Sequence, residues 1–492
     1  MAIQIDEQQL SKLVEAVFLQ VKESGLIPDP PADHPRNAIV QSPVSKPASF
    51  ANNADGVFLS VDEAVAAAKK AYVEFSSVSL ERRKVFIQAM RDAAIAHAEE
   101  FASEAVAEAG FGRASDKIQK NLLAARKTPG TEDLLPMCFT GDDGLTLVEP
   151  APFGVIGAIT PCTNPAATII NNSISIVAAG NAVVFNGHPS AKGVTNHAVA
   201  VLNQAIARAG GPSTLLCSLA APTLETSAAI MKHKDIRLLL VTGGGAVVRS
   251  AMTSGKRCIA AGPGNPPVIV DDTADISHAA KCIVNGASFD NNVLCTAEKE
   301  VFAFENIADR LIDEMQRNGA YLIKGPQIAQ IVKALVEQGV KHPHPNRKFV
   351  GQPASVLLST IGVSVPDSVR LVICEVPDED HPLVQIEMLM PILPIVRVRD
   401  LDEALRKAKY AEHGHRHSAY MHSESVSNMS LVAREIETTI FVKNAPSYAG
   451  LGFGGEGHTT LSIAGPTGEG LTSARSFTRQ RRCVLAGAFR IV

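Results

Sequence analysis

The 492-residue chain has no apolar run long enough to cross a bilayer, which argues against an integral membrane protein. Its first residues show no basic n-region followed by an apolar h-region, so a secretory signal is not expected. No CxxC pair occurs, and eight cysteines without short regular spacing do not make a disulfide framework. A reducing, cytosolic compartment follows, where cysteine is either a small core residue or a reactive one. Neither sign of charge is in large excess: 46 Lys and Arg face 50 Asp and Glu, for a net charge of −4. The basic residues are scattered, without the stripe or patch of a nucleic-acid binder. No internal repeat is visible. Against these absences, 46% of residues are apolar and 20% charged, enough to bury a large core. At roughly 100–200 residues per domain, two to four domains are expected.

The first 24 residues stand apart. Ile5, Leu10, Leu13, Val14, Val17, Phe18 and Val21 fall largely at helical spacing among charged residues, which predicts a short amphipathic helix. It stops at Gly25, a C-cap. Six prolines between Pro28 and Pro47 make residues 25–54 an extended linker. The helix either docks on its own body or serves as a tag for another protein. Ser60 is expected to cap a helix reaching about Phe75, and Ser79 a longer one ending near Gly110. From Thr146 onward short apolar runs alternate with helical patterns. The runs Val155–Ile159, Ala182–Phe185, Leu215–Leu219, Ile236–Val241 and Val268–Val270 predict a parallel sheet with covering helices. A second α/β stretch offers strands at Glu300–Ala303, Val369–Cys374 and Ile392–Val398.

Seven cysteines have ordinary packing explanations. Cys295 differs: it lies in a polar, loop-like segment, Ser288 to Glu298, leading into a strand. A partly accessible thiol there is a candidate nucleophile. Thr242, Gly243, Gly244 and Gly245 follow a strand and open a helix, so their backbone N–H groups are placed to face a pyrophosphate. The segment is neither a G-x-G-x-x-G fingerprint nor a P-loop, and a plain strand-to-helix turn reads equally well. Gly262 to Pro267 is by itself a turn. Pro152 to Pro165 runs a strand into a proline-bracketed loop carrying Asn164. That amide is either an oxyanion donor or a cap for the following helix.

Taken together, Thr160-Pro-Cys-Thr-Asn-Pro165, Val241-Thr-Gly-Gly-Gly245, Ala261-Gly-Pro-Gly-Asn-Pro266, the Cys295 segment, Glu387-Met-Leu-Met-Pro391, Glu412-His-Gly-His-Arg-His417, Gly450–Gly457 and Pro466-Thr-Gly-Glu-Gly-Leu471 resemble the aldehyde dehydrogenase superfamily. The likeness covers about residue 55 to the end. It is greatest to the CoA-acylating aldehyde dehydrogenases of bacterial microcompartments, which act on propanal or acetaldehyde. The resemblance implies an α/β fold with two Rossmann-like domains and a β oligomerisation arm. An NAD/CoA-binding domain would span 55–264 with a strand excursion at 130–150, a thiol domain 265–435, and return and oligomerisation strands 436–492. It implies Cys295 as the thiol attacking the aldehyde and Asn164 as oxyanion donor with the Cys295 N–H. Glu387 would hold the nicotinamide ribose, and Thr160, Pro161 and Thr242 to Gly245 would contact the cofactor.

Two departures matter. Hydrolytic relatives carry a general-base glutamate where this chain has Ala260. A positioned base is worth ~10²–10⁴ in rate, so its loss disfavours water over a thiol such as coenzyme A. After the strand at 182–185 the chain reads Asn186-Gly187-His188-Pro189, without the usual ribose-binding glutamate. His188 is then either a ribose or phosphate contact or a turn histidine. His413, His415 and His417, spaced by two as on one strand face, tempt a metal reading, but no full ligand set accompanies them, no metal is expected, and an ordinary turn of the family is the better reading. In this light residues 1–24 resemble an encapsulation peptide binding microcompartment shell proteins. The expected reaction joins a short-chain aldehyde (propanal first, acetaldehyde next), NAD and coenzyme A to give acyl-CoA. It would run in a homo-oligomer, dimer or tetramer, inside a microcompartment of the bacterial cytoplasm, with no nucleic-acid or membrane partner. A hydrolytic enzyme and a catalytically silent assembly protein are the alternatives.

Overall fold

The computed structural model describes residues 55–339, 342–487 and 489–491. The tail helix and linker expected over 1–24 and 25–54 lie outside the described residues.

Two parallel sheets organise the chain. The first has six strands in the order Val57–Phe58, Leu216–Leu219, Ala182–Asn186, Val155–Ile159, Ile236–Thr242, Arg257–Ala261. Strand Val155–Ile159 is buried at every position, as is Ala182–Asn186, because helices cover both faces. From Val155–Ile159 the chain steps outward through Ala182–Asn186 to Leu216–Leu219. It then returns to Ile236–Thr242 on the opposite flank. This reversal makes a topological switch point, and the carboxyl ends of Val155–Ile159 and Ile236–Thr242 open a crevice there. The two loops leaving those ends are Thr160–Asn164 and Gly243–Gly244.

The second sheet has seven strands in the order Ala320–Ile323, Leu371–Glu375, Ile392–Val398, Glu300–Phe304, Pro267–Val270, Ser418–His422, Ile440–Lys443. The crossover from Pro267–Val270 to Glu300–Phe304 passes through helix Ile276–Ser288 and then the Cys295 segment. Each sheet carries its own apolar core. The C-terminal segment joins them: Leu461, Ala464 and Phe477 enter the first core, Leu451 and Ile463 the second. Strands Met137–Gly141, Gly144–Pro152 and Thr478–Ala486 form a separate antiparallel sheet, with Thr478–Ala486 exposed along nearly its whole length.

Two local expectations need correction. The helix capped by Ser79 does not run to Gly110. It ends at Ala96, and a second helix spans Ala98–Ala109. At the break His97 leaves helical dihedrals and its Nδ1 meets the Ala93 carbonyl at 2.9 Å. The strand expected at Val369 begins at Leu371, because Val369 N–H closes a turn on Pro366 O at 3.0 Å. His413, His415 and His417 lie in the irregular connection before strand Ser418–His422, as the turn reading expects, with His413 at φ +58°.

Candidate active site

Cys295 sits on a loop fixed from both sides. Three consecutive residues before it, Asp290, Asn291 and Asn292, take left-handed backbone conformations (φ 47°, 53° and 64°). Such a run is costly and persists only where side chains over-determine it. Here they do. Asn292 Nδ2 donates to Ala287 O at 2.7 Å and Glu298 O at 3.0 Å. Lys299 Nζ donates to Asn292 O and Leu294 O, both at 3.0 Å, and to Asn292 Oδ1 at 2.5 Å. Asn291 Nδ2 donates to Gly351 O at 2.9 Å. The buried Tyr420 hydroxyl donates to Thr296 O. Gly264 shows why that turn needs glycine: an added Cβ would lie 2.9 Å from Cys295 O and 2.8 Å from the His417 ring.

Cys295 keeps partial exposure, as a nucleophile requires. Its surroundings nevertheless push the thiol up to about 12, first by burial and then by the Glu387 charge. Lys299 and the Cys295 and Thr296 backbone groups oppose this. Glu387 is itself raised to about 7 by burial, against Lys299 and a backbone hydrogen bond with Gly264. Near neutrality Glu387 is therefore partly protonated, which lessens its repulsion of a Cys295 thiolate.

Asn164 is 8% exposed and occupies the N-cap position of helix Pro165–Ala178, yet its side chain makes no cap bond. Its Oδ1 instead accepts from Lys120 Nζ, and its Nδ2 lies 3.3 Å from Thr163 Oγ1. Lys120 also bonds Asp290 of the Cys295 loop, as does Lys117 at 3.0 Å. Both lysines are 4% exposed, on helix Ala114–Lys127. Asp116 of the same helix accepts from Asp290 N at 2.8 Å, and Arg113 N donates to Asp290 Oδ1 at 2.6 Å. The nucleophile loop and the amide loop thus meet on one helix face.

The cofactor candidates gather at the crevice of the first sheet. Thr160 is buried, and its Oγ1 has no partner. Pro161 follows it at the mouth of the loop. Helix Gly245–Met252 starts after Thr242-Gly243-Gly244 with no side-chain cap, which leaves the Gly245 and Ala246 N–H groups at its start, whereas the Gly243 N–H is spent on Ala261 O at 3.1 Å. A Cβ added at Gly243 or Gly244 would meet nothing within 4 Å. An uncapped helix start, room beside Gly243 and Gly244 and an orphaned hydroxyl fit a dinucleotide pyrophosphate. The Thr242 hydroxyl is already engaged, 2.9 Å from Ser462 Oγ. His188 is exposed, and its Nδ1 accepts from Ser190 N at 3.2 Å as a local cap. Ala260 is fully buried in strand Arg257–Ala261, its N–H donating to Thr467 Oγ1 at 3.0 Å.

Beside the thiol loop, Leu123, Phe289, Leu294, Tyr448, Leu451 and Phe453, with the stems of Gln119 and Lys120, line a void of about 10 Å³. The three aromatic rings pack at centroid separations of 5.1–6.0 Å. The other cysteines divide differently from expectation. Cys217, Cys282 and Cys374 are buried and Cys162 and Cys258 half-buried, but Cys138 and Cys483 are exposed on the arm and pack no core. The buried lysines and Asp290 were not singled out by the sequence. Lys117 and Lys120, three apart on a helix, look like a solvated face, and no local signal says that this face turns inward.

The chain matches the family model described as aldehyde dehydrogenase family over residues 36–480. It is 47% identical to the acetaldehyde dehydrogenase (acetylating) EutE of Salmonella typhimurium, across 99% of this chain and all of the relative. It is similar to the propionaldehyde dehydrogenase of Rhodopseudomonas palustris solved with bound CoA and an acylated cysteine, at 49% identity and TM-score 0.87, covering 89% of this chain and 100% of that one. It is also similar, at 49% identity and TM-score 0.86, to a propionaldehyde dehydrogenase from the fucose utilisation microcompartment of Clostridium phytofermentans, with the same coverage.

Proposed function

The chain belongs to the aldehyde dehydrogenase family, and we propose that it works through Cys295 and Asn164. It is a CoA-acylating aldehyde dehydrogenase that uses NAD and coenzyme A. Bound NAD supplies the hydride acceptor. Thr160, Pro161, the turn Thr242 to Gly245 and Glu387 would hold it. The Cys295 thiol gives up its proton to solvent, the resulting thiolate adds to the aldehyde carbon, and the carbonyl oxygen takes up the electron pair of the C=O π bond. Asn164 Nδ2 and the Cys295 N–H stabilise that oxyanion, each donor of this kind being worth ~10²–10³ in rate. Loss of hydride from the same carbon leaves a thioester on Cys295. The coenzyme A thiolate then adds to the thioester carbon, and the Cys295 carbon–sulfur bond breaks to release acyl-CoA.

The observation that carries acyl transfer over hydrolysis is Ala260, whose methyl is buried where the family's hydrolytic base would stand. Water then lacks a base worth ~10²–10⁴, whereas a thiol needs it less. Intact Cys295 and Asn164 argue against a silent assembly protein. The substrate is a short-chain aldehyde, propanal before acetaldehyde. NADH formation from propanal with and without coenzyme A tests the reading. Equal rates with free acid as product would overturn it.

The same proposal extends to assembly. Strand Thr478–Ala486 is an exposed edge of the antiparallel arm. Val484 is exposed on it, and Met137 and Phe139 are exposed on the opposite edge strand Met137–Gly141, with Phe139 and Val484 both in register with Thr146 of the central strand. A long unpaired edge with apolar residues suits pairing with a second copy, as a dimer or tetramer. Residues 1–24 would bind shell proteins and place the enzyme in a microcompartment of the bacterial cytoplasm, as the likeness to a microcompartment enzyme supports. No helix among the described residues is long and apolar enough to cross a membrane.

A further inference from the structure

We propose that Lys120 is a positioning residue: its ammonium, anchored by Asp290, selects which end of the Asn164 amide faces the thiol. This rests on the reading of Asn164 as oxyanion donor. A side-chain amide has two nearly isosteric ends, related by a half-turn of its last torsion. One end donates to a forming alkoxide. The other presents a carbonyl oxygen and repels it.

The local backbone does not choose between them, because Asn164 makes no cap bond to its helix. Thr163 Oγ1, 3.3 Å from Nδ2, does not choose either, since a hydroxyl can donate or accept. Lys120 does. An ammonium has three donors and no acceptor, so it tolerates only Oδ1 as neighbour. Nδ2 is thereby turned away from it.

Asp290 holds Lys120 in place and cannot drift. Its Oδ2 also takes Lys117, and its Oδ1 takes Arg113 N at 2.6 Å. Lys117 in turn donates to Thr163 O at 3.0 Å, on the amide loop itself. Asp290 lies five residues before Cys295, so donor orientation and nucleophile position share one anchor. Removing the ammonium does more than free the amide. It takes one of two ammonium partners from Asp290 Oδ2, Lys117 staying, and in the unproductive orientation Nδ2 replaces the lost donor.

A double-mutant cycle on full-length enzyme, with saturating propanal, NAD and coenzyme A, tests this. Asn164→Ala is expected to lower kcat by ~10²–10³. Lys120→Met alone is expected to lower it by ~10–10² through the misdirected amide, and Lys120→Arg, which keeps a pure donor, to recover part of the loss. In the Asn164→Ala background Lys120→Met is expected to cost nothing beyond about threefold, because coupled residues are not additive. Alkylation of Cys295 by iodoacetamide forms no oxyanion, and Lys120→Met should leave its rate unchanged. A full multiplicative loss in the Asn164→Ala background, or alkylation falling in step with kcat, overturns the assignment while the Asn164 reading stands. An Asn164→Ala kcat within about threefold of the parent overturns the donor reading, and this one with it.

Discussion

Burial and Glu387 hold the Cys295 thiol far above neutrality, so the resting sulfur is almost wholly protonated. Far below its pKa, the thiolate fraction rises tenfold per pH unit. Alkylation of the free enzyme should therefore keep climbing from pH 7 to 9, by less than tenfold per unit where Glu387 takes on its charge, and a plateau below pH 8 would contradict this. Glu387 gains its charge above about 7, inside that window, and opposes the thiolate. Glu387→Gln should accelerate alkylation at pH 8 by up to about tenfold, the effect of one unit of thiol pKa. Cys295 stood out in the sequence because a polar segment before a strand suits an accessible thiol. Gly264 did not stand out as part of the site. Its turn was legible, but its closeness to Cys295 O is a tertiary fact.

At the level of elements, the strands were largely legible because buried parallel strands read as short apolar runs. Helix Ala114–Lys127 was the blind spot. Its inward lysines pair with a carboxylate some 170 residues away in sequence. The break at His97 was missed as well, because it depends on one imidazole reaching back to a carbonyl. The buried charge cluster also makes a stability prediction. Asp290 is fully buried, and removing it strands two buried ammonium groups. Asp290→Ala should destabilise the fold by ~3–5 kcal/mol in denaturant unfolding, the usual cost of breaking one side of a buried ion pair. A loss below about 1 kcal/mol would show that the cluster is well hydrated, as a surface pair is. Thr160, whose buried hydroxyl has no partner among the described residues, marks the opposite case, a polar group left unsatisfied.

The whole molecule places a carboxyl-edge crevice of one sheet beside a nucleophile loop carried by the other, and adds an arm with an exposed edge. Assembly and targeting should be separable. In sedimentation with shell proteins, deleting residues 1–24 should abolish co-sedimentation and leave the enzyme's own oligomer and turnover intact. Replacing Phe139 and Val484 by aspartate should dissociate the oligomer. Retained shell association without residues 1–24, or an unchanged oligomer with both aspartates, would refute the respective assignment. The chemistry rests on a smaller feature, a buried alanine in place of a base. The most direct measurement is rapid-mixing NADH formation with propanal and NAD, first without coenzyme A and then with it. Without coenzyme A, a burst approaching one NADH per active site should give way to slow turnover, with Cys295 held as its propanoyl thioester. Adding coenzyme A should restore steady turnover with propanoyl-CoA as product. Sustained NADH formation without coenzyme A, yielding propanoate at an undiminished rate, would contradict the account.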